Sequence, residues 1–183
     1  MAQGNLRDIP GGVKGVKETL KVMSKFADGK IKIRGKLIGK TNPEIRHLAG
    51  SIVRDNCKAH DYSCAGASLL AWVQENVMWQ PDTVDQETVQ TAERTLAWGF
   101  GDCDDLTTLL VAMLLSIGIP SAFRVVACEP ERPGQYTHVY AIVEIDGNWY
   151  AADPSVNQPF GWETNGITKA MHWDPIANRS FKI

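Results

Sequence analysis

At 183 residues, 44% of them apolar, the chain is long enough to bury one substantial core and suits a single domain with at most an appendage. No apolar run approaches the ~20 residues needed to cross a membrane. The opening Met1-Ala2-Gln3-Gly4-Asn5 has no apolar signal core, so export by that route is not expected and the four cysteines read as reduced thiols of a cytosol-like compartment. The net charge of −2 hides an uneven split: residues 1–40 carry ten Lys/Arg and three Asp/Glu (+7), residues 41–183 nine and eighteen (−9). A basic segment on an acidic body can dock onto that body, a partner or nucleic acid. Its simplest reading is a solvated basic helix face, and neither nucleic acid nor membrane is expected as a partner.

Residues 10–27 predict a helix, with Val13, Val16, Leu20 and Met23 on one face and Lys14, Lys17, Lys21 and Lys25 elsewhere. Lys30 to Lys40 alternates basic and apolar residues between glycines, as in a short hairpin or an extended arm. A boundary near Thr41 divides the chain into a basic segment, 1–40, expected to be separable, and a main domain, 41–183. Thr41-Asn42-Pro43-Glu44 starts a helix running to about Asn56, and a second helix is expected from Ala65 to Val77. Cys57, His60 and Cys64 between them are zinc-ligand types, but a structural zinc site needs four ligands and no second pair is in sight. They read as chance residues near a loop.

Val77 to Asp82 leaves the second helix in extended form, and Glu87 to Leu96 reads as a loop with a short helical piece. Next comes Gly99-Phe100-Gly101-Asp102-Cys103-Asp104-Asp105-Leu106. Asp102 is a good N-cap, and Asp105 is its reciprocal partner in a capping-box-like start. Leu106, Leu109, Leu110, Met113, Leu114 and Ile117 then recur at helical spacing until Gly118-Ile119-Pro120. A thiol in the first turn of a buried helix feels the dipole and the free N–H groups, which favour the thiolate and could hold an oxyanion. Without a partner, Cys103 would be one more small buried residue.

A partner follows. After a strand over Ala122 to Cys128 and a polar loop, Thr137 to Ile145 and Asn148 to Asp153 form a hairpin about Asp146-Gly147. Ile145 then faces Asn148, which makes His138 and Asp153 diagonal neighbours on one face, roughly 7–8 Å apart at the backbone. A histidine and an aspartate so placed make a base and its orienter. The alternative, a surface pair, fits poorly with the aromatic-flanked run Trp149-Tyr150-Ala151-Ala152-Asp153. The chain after Pro154, with Trp162 and Trp173, is expected to wrap the sheet without regular structure.

Cys103 on a helix start, His138 on a strand and Asp153 on the next strand stand in the order of the transglutaminase-like (papain-like) superfamily. Gly101-Asp102-Cys103-Asp104-Asp105, the Gly118-Ile119-Pro120 turn, Thr137-His138-Val139-Tyr140 and Trp149-Tyr150-x-x-Asp153-Pro154 resemble its motifs over residues 65–156. Glu87 to Gln90 and the acidic cysteine motif resemble phage and prophage members. The resemblance implies an α+β fold, with the cysteine helix packed on an antiparallel sheet behind N-terminal helices. It also implies a Cys103–His138–Asp153 triad performing acyl chemistry on a protein or peptide amide, without cofactor or metal. Trp79 is the position matching the family's aromatic oxyanion donor; Trp98 fits less well. The phage likeness adds phage structural proteins as partners and a virion-associated place beside the cytoplasm. Asp104 and Asp105 are expected to turn to solvent, leaving His138 to pull the Cys103 pKa below that of the other cysteines. Two other readings are an inactive structural module and a metal hydrolase built on Asp102, Asp104, Asp105, His138 and Asp153, which leaves Cys103 without a role.

Overall fold

A computed structural model describes residues 13–82 and 88–183. Residues 10–12 of the first expected helix and Glu87 of the upstream segment lie outside the described residues. The helix itself is Val13–Asp28 (α1). Lys32–Ile33 (β1) and Lys36–Leu37 (β2) form the expected small antiparallel hairpin. Helix α2, Pro43–Asn56, starts where the capping signal puts it: Asn42 Oδ1 accepts from the Glu44 and Ile45 amides. Helix α3, Tyr62–Asn76, begins three residues before the expected start because Asp61 caps it.

Met78–Trp79 (β3) leaves α3 in extended form and pairs in parallel with Phe100–Gly101 (β4), across the short helix α4, Ala92–Trp98. Gly99, at φ 71°, ends α4 in the left-handed conformation that favours glycine. Helix α5, Cys103–Ser116, follows, and every residue from Cys103 to Leu114 is buried. Beyond its polar first turns, a helix buried all round must be apolar on every face, which explains its run of Leu, Val, Ala and Met from Leu109 to Leu114. It packs against α1, α2, α3 and α4 on one side and strands β5 and β6 on the other.

The main sheet is antiparallel, in the order β7-β6-β5-β8-β9: Ser121–Ala127 (β5), His138–Ile145 (β6), Asn148–Ala152 (β7), Lys169–Asp174 (β8) and Arg179–Phe181 (β9). The hairpin register is the expected one, Ile145 opposite Asn148, with Asp146 and Gly147 both at positive φ. The fold is thus the expected mixture of helices and antiparallel sheet.

Two expectations need correcting. The segment after Pro154 is irregular only until Thr168; β8 and β9 then extend the sheet, and Trp173 is buried opposite Phe123. The strand was hidden because Lys169-Ala170-Met171-His172-Trp173-Asp174 puts only Met171 and Trp173 toward the core, a weak alternation among polar neighbours. The cysteines are not all reduced: Cys57 and Cys64 form a disulfide, leaving Cys103 and Cys128 as thiols. The end of α2 and the first turn of α3 bring the two Cα atoms to 5.7 Å, within bridging range.

Helix α1 bears on the division at residue 40. Leu20, Met23 and Ala27 are buried in the same core as α5, and Trp173 Nε1 donates to Ser24 Oγ at 3.0 Å. The carboxylate of Asp28, buried at the helix end, is held by Lys30 and Lys40 at 2.9 and 2.5 Å. A chain beginning at Thr41 is therefore expected to lose cooperative thermal unfolding. Met23→Ala, which empties a fully buried site, should cost about 2–5 kcal/mol in a denaturant titration.

Candidate active site

The first turn of α5 supplies the thiol. Asp102 Oδ1 accepts from the Asp104 and Asp105 amides at 3.1 and 3.4 Å, and the Asp102 amide donates to Asp105 Oδ2 at 3.4 Å. This is the capping box expected from the sequence. Asp105 does more than close it. Its Oδ1 accepts from the Gln90 amide at 2.6 Å and its Oδ2 from Gln90 Nε2 at 2.7 Å. A side chain on Gly101 would meet Asp105 Cβ at 2.5 Å, so only glycine lets β4 pass this close.

Cys103 itself is buried, and its sulfur accepts from the backbone N–H of Val139, the residue after His138. Thr107, one turn along, donates to the Val139 carbonyl at 3.3 Å and fastens α5 to β6 at the same place. The side chains of Val139, Ala141 and Val143 face α5, while Tyr140 and Ile142 pack on the other face of the sheet. His138 alternates with Val139 and shares Tyr140's side, their ring centroids 5.7 Å apart. The thiol therefore meets β6 at the Val139 backbone, on the face of the strand opposite the one from which the His138 side chain leaves.

His138 and Asp153 are joined directly: Nε2 and Oδ2 are 2.6 Å apart, and both side chains are buried. The other ring nitrogen, Nδ1, is buried without a hydrogen-bond partner among the described residues. Asp153 Oδ1 accepts from the Ser155 amide at 3.0 Å. The turn beyond is pinned by Gln74 of α3, whose Nε2 donates to the carbonyls of Asp153, Val156 and Gln158.

Trp79 lies beside Gly101 in the parallel β3–β4 pair, partly buried against the core. Its Nε1 is buried and without a hydrogen-bond partner among the described residues. Trp98 is half exposed, stacked on Phe100 at 5.5 Å, with the Arg94 guanidinium 3.8 Å over its ring. That puts it in a surface stack, whereas Trp79 is paired with Gly101, two residues before Cys103.

The surroundings of the thiol differ from expectation. Asp104 and Asp105 do not turn to solvent; both are as buried as Cys103. Burial, then the charges of Asp102 and Asp104, push the Cys103 thiol well above its ordinary pKa, and the Val139 N–H only partly opposes them. The expected lowering is thus reversed, because the carboxylates that water was to screen are inside. The same burial raises Asp102, and it raises Asp105 to about 7 with help from the charge of Asp102, against the hydrogen bonds from Gln90.

One oxygen of each of Asp102, Asp104 and Asp105 falls within 4.8 Å of the others, the only such acidic or metal-ligand group among the described residues. His138 and Asp153 are outside it, so the five-residue metal set is not gathered. The Asp102 and Asp105 oxygens already serve backbone and Gln90 donors. Gln74, Gln90 and Thr107 have no signal in sequence, since their roles depend on distant partners. Gln90 lay inside a quoted motif without an assigned function.

The model of the transglutaminase-like superfamily matches residues 46–154. The chain belongs to that superfamily. Among solved structures, it resembles a candidate cysteine protease of Cytophaga hutchinsonii, with a TM-score of 0.53 and 18% identity over 69% of this chain and 41% of the other. It also resembles a candidate protease of Parabacteroides distasonis, with a TM-score of 0.62 and 16% identity over 91% of this chain and 30% of the other. The chain thus spans less than half of either neighbour, and at such identities the likeness is one of fold. No curated protein matches it.

Two outcomes follow from the buried carboxylates. Asp102 and Asp105 hold protons more tightly folded than unfolded, so the folded chain binds the extra protons between the unfolded carboxylate pKa and about 7. Stability contributed by this protonation is present below that window and is lost as pH rises through it. Denaturant titrations should give a lower unfolding free energy at pH 8 than at pH 5.5, with a smaller difference in Asp105→Asn. Replacing Asp104 by Asn removes a charge that opposes the thiolate. Iodoacetamide should then alkylate Cys103 severalfold faster at pH 8.

Proposed function

We propose that the chain is a thiol-dependent acyl-transfer enzyme, a hydrolase or protease cleaving a protein or peptide amide through a thioester on Cys103. The observation that carries this reading is the buried His138–Asp153 pair, 2.6 Å across, with the remaining ring nitrogen unpartnered and Cys103 seated on the neighbouring Val139 amide. Each group then has a role. Asp153 fixes the imidazole with the proton on Nε2, which leaves the Nδ1 lone pair as the base. Because burial holds Cys103 as a neutral thiol, His138 removes its proton as the sulfur attacks the carbonyl carbon. The oxyanion accepts from Trp79 Nε1. The C–N bond then breaks, His138 returns its proton to the departing amine, and the thioester remains until water or another amine attacks it.

A specific observation favours a second reading. The burial of Cys103 and the charges of Asp102 and Asp104 beside it oppose its ionisation, as suits a module that keeps the fold for a structural role in an assembly such as a phage particle. Acyl trapping separates the two. After brief exposure to p-nitrophenyl acetate, mass spectrometry of digested protein should find acetyl on Cys103 and not on Cys128, the other thiol. His138→Ala should slow that acetylation by about 10²–10⁴-fold, the usual contribution of a general base. Acetylation no faster at Cys103 than at Cys128 in folded protein would replace the enzyme by the module.

A further inference from the structure

The far end of α5 carries a second concavity. A cavity of about 360 Å³ lies where the end of α2, the loop into α3 and the residues after α5 meet. Its apolar lining comes from Val53, Ala65, Ile117 and Ile119, of which Ala65 and Ile119 are almost wholly buried. Its volume falls within the ~300–1,000 Å³ common for small-molecule sites. Cys103 starts α5 and Ile117 follows its end, so a helix of 14 residues, about 20 Å long, separates this cavity from the candidate active site.

The charged side chains around it are two cations to one carboxylate. Arg54, Lys58 and His60 line it, with Asp61 as the lone acidic residue. The Asp61 carboxylate is engaged, since it accepts from the Cys64 amide as the cap of α3. Arg54 pairs with its chain neighbour Asp55, but both side chains are largely exposed, and such a pair holds an arginine weakly. The Cys57–Cys64 disulfide closes the segment that carries Lys58 and His60, so both side chains sit on a tethered loop. Within it His60 is held at φ 62°, a conformation L side chains rarely adopt, with its ring edge-on to Tyr62, another lining residue.

We infer that this cavity binds a small carboxylate bearing an apolar chain, with the chain against Ile117 and Ile119 and the carboxylate at Arg54 and Lys58. An apolar floor under a cationic, disulfide-tethered rim matches that amphipathic anion in both halves. The site is independent of the reading proposed for Cys103.

Octanoate is the probe, with octanol as its uncharged counterpart, titrated calorimetrically into full-length protein without reductant. Octanoate should bind saturably, one per chain, with a Kd in the millimolar range or below, and octanol about tenfold more weakly, as expected for loss of a charge-assisted contact. Arg54→Glu combined with Lys58→Glu alters exposed side chains and should weaken octanoate by about tenfold or more while leaving octanol unchanged. Ile119→Trp, which fills the floor, should abolish binding of both. Absence of saturable octanoate binding, equal binding of octanol, or octanoate binding untouched by the double charge reversal would overturn the proposal. Because the double variant is confined to exposed positions, its result stands even if Ile119→Trp fails to fold.

Discussion

The structure depends on how the N-terminal end of α5 is satisfied inside the protein. The first amides of a helix have no partners within it, and burying them bare would be costly. Here the end is as buried as the middle, so water cannot serve it. Asp102 and Asp105 do so instead, and Asp105 extends the arrangement outward to Gln90 and backward to the Asp102 amide. Gly101 must stay bare for the carboxylate to fit, which fixes the path of β4 and the place of Trp79 beside it. One carboxylate thus joins the helix that carries Cys103, the incoming loop and the strand pair that carries Trp79.

That solution sets the chemistry available to Cys103. A carboxylate is a good hydrogen-bond acceptor for helix amides but a poor neighbour for a thiolate. Burial of the sulfur itself, and then the charges of Asp102 and Asp104, favour the thiol over the thiolate. In the reading proposed for Cys103, the proton would therefore leave as the sulfur attacks, with the unpartnered Nδ1 of His138 as its acceptor. The near-neutral pKa of Asp105 follows from the same crowding: adjacent carboxyl groups in a dry setting cannot all be ionised at once.

Much of this was legible in the sequence because it is local. The capping box, the apolar periodicity of α5, the Asp146-Gly147 hairpin and hence the meeting of His138 with Asp153 all follow from spacing within a few residues or across one turn. What was not legible depends on burial from outside the segment. Asp104 and Asp105 look like solvated helix residues until Gln90, β4 and the body of the protein close over them. Cys57 and Cys64 look unrelated until the α2–α3 corner sets them side by side. Strand β8 is too mixed in polarity to read as a strand, and it exists because β5 offers it an edge.

The charge split between the first 40 residues and the rest has a similar resolution. Composition alone makes the basic segment look like an appendage. Yet an amphipathic helix can hold both properties at once, lysines on one side and a core face on the other. Leu20 and Met23 of α1 are buried with α5, while Lys17 and Lys21 stay at the surface. Asp28, at the end of α1, draws Lys30 and Lys40 onto itself, so two of the segment's positive charges neutralise an internal carboxylate. The segment's surplus charge thus lies outside a helix whose inner face is part of the support for α5. Whatever displaces α1 would loosen the helix that carries Cys103, and this ties the basic end of the chain to the candidate site through packing alone.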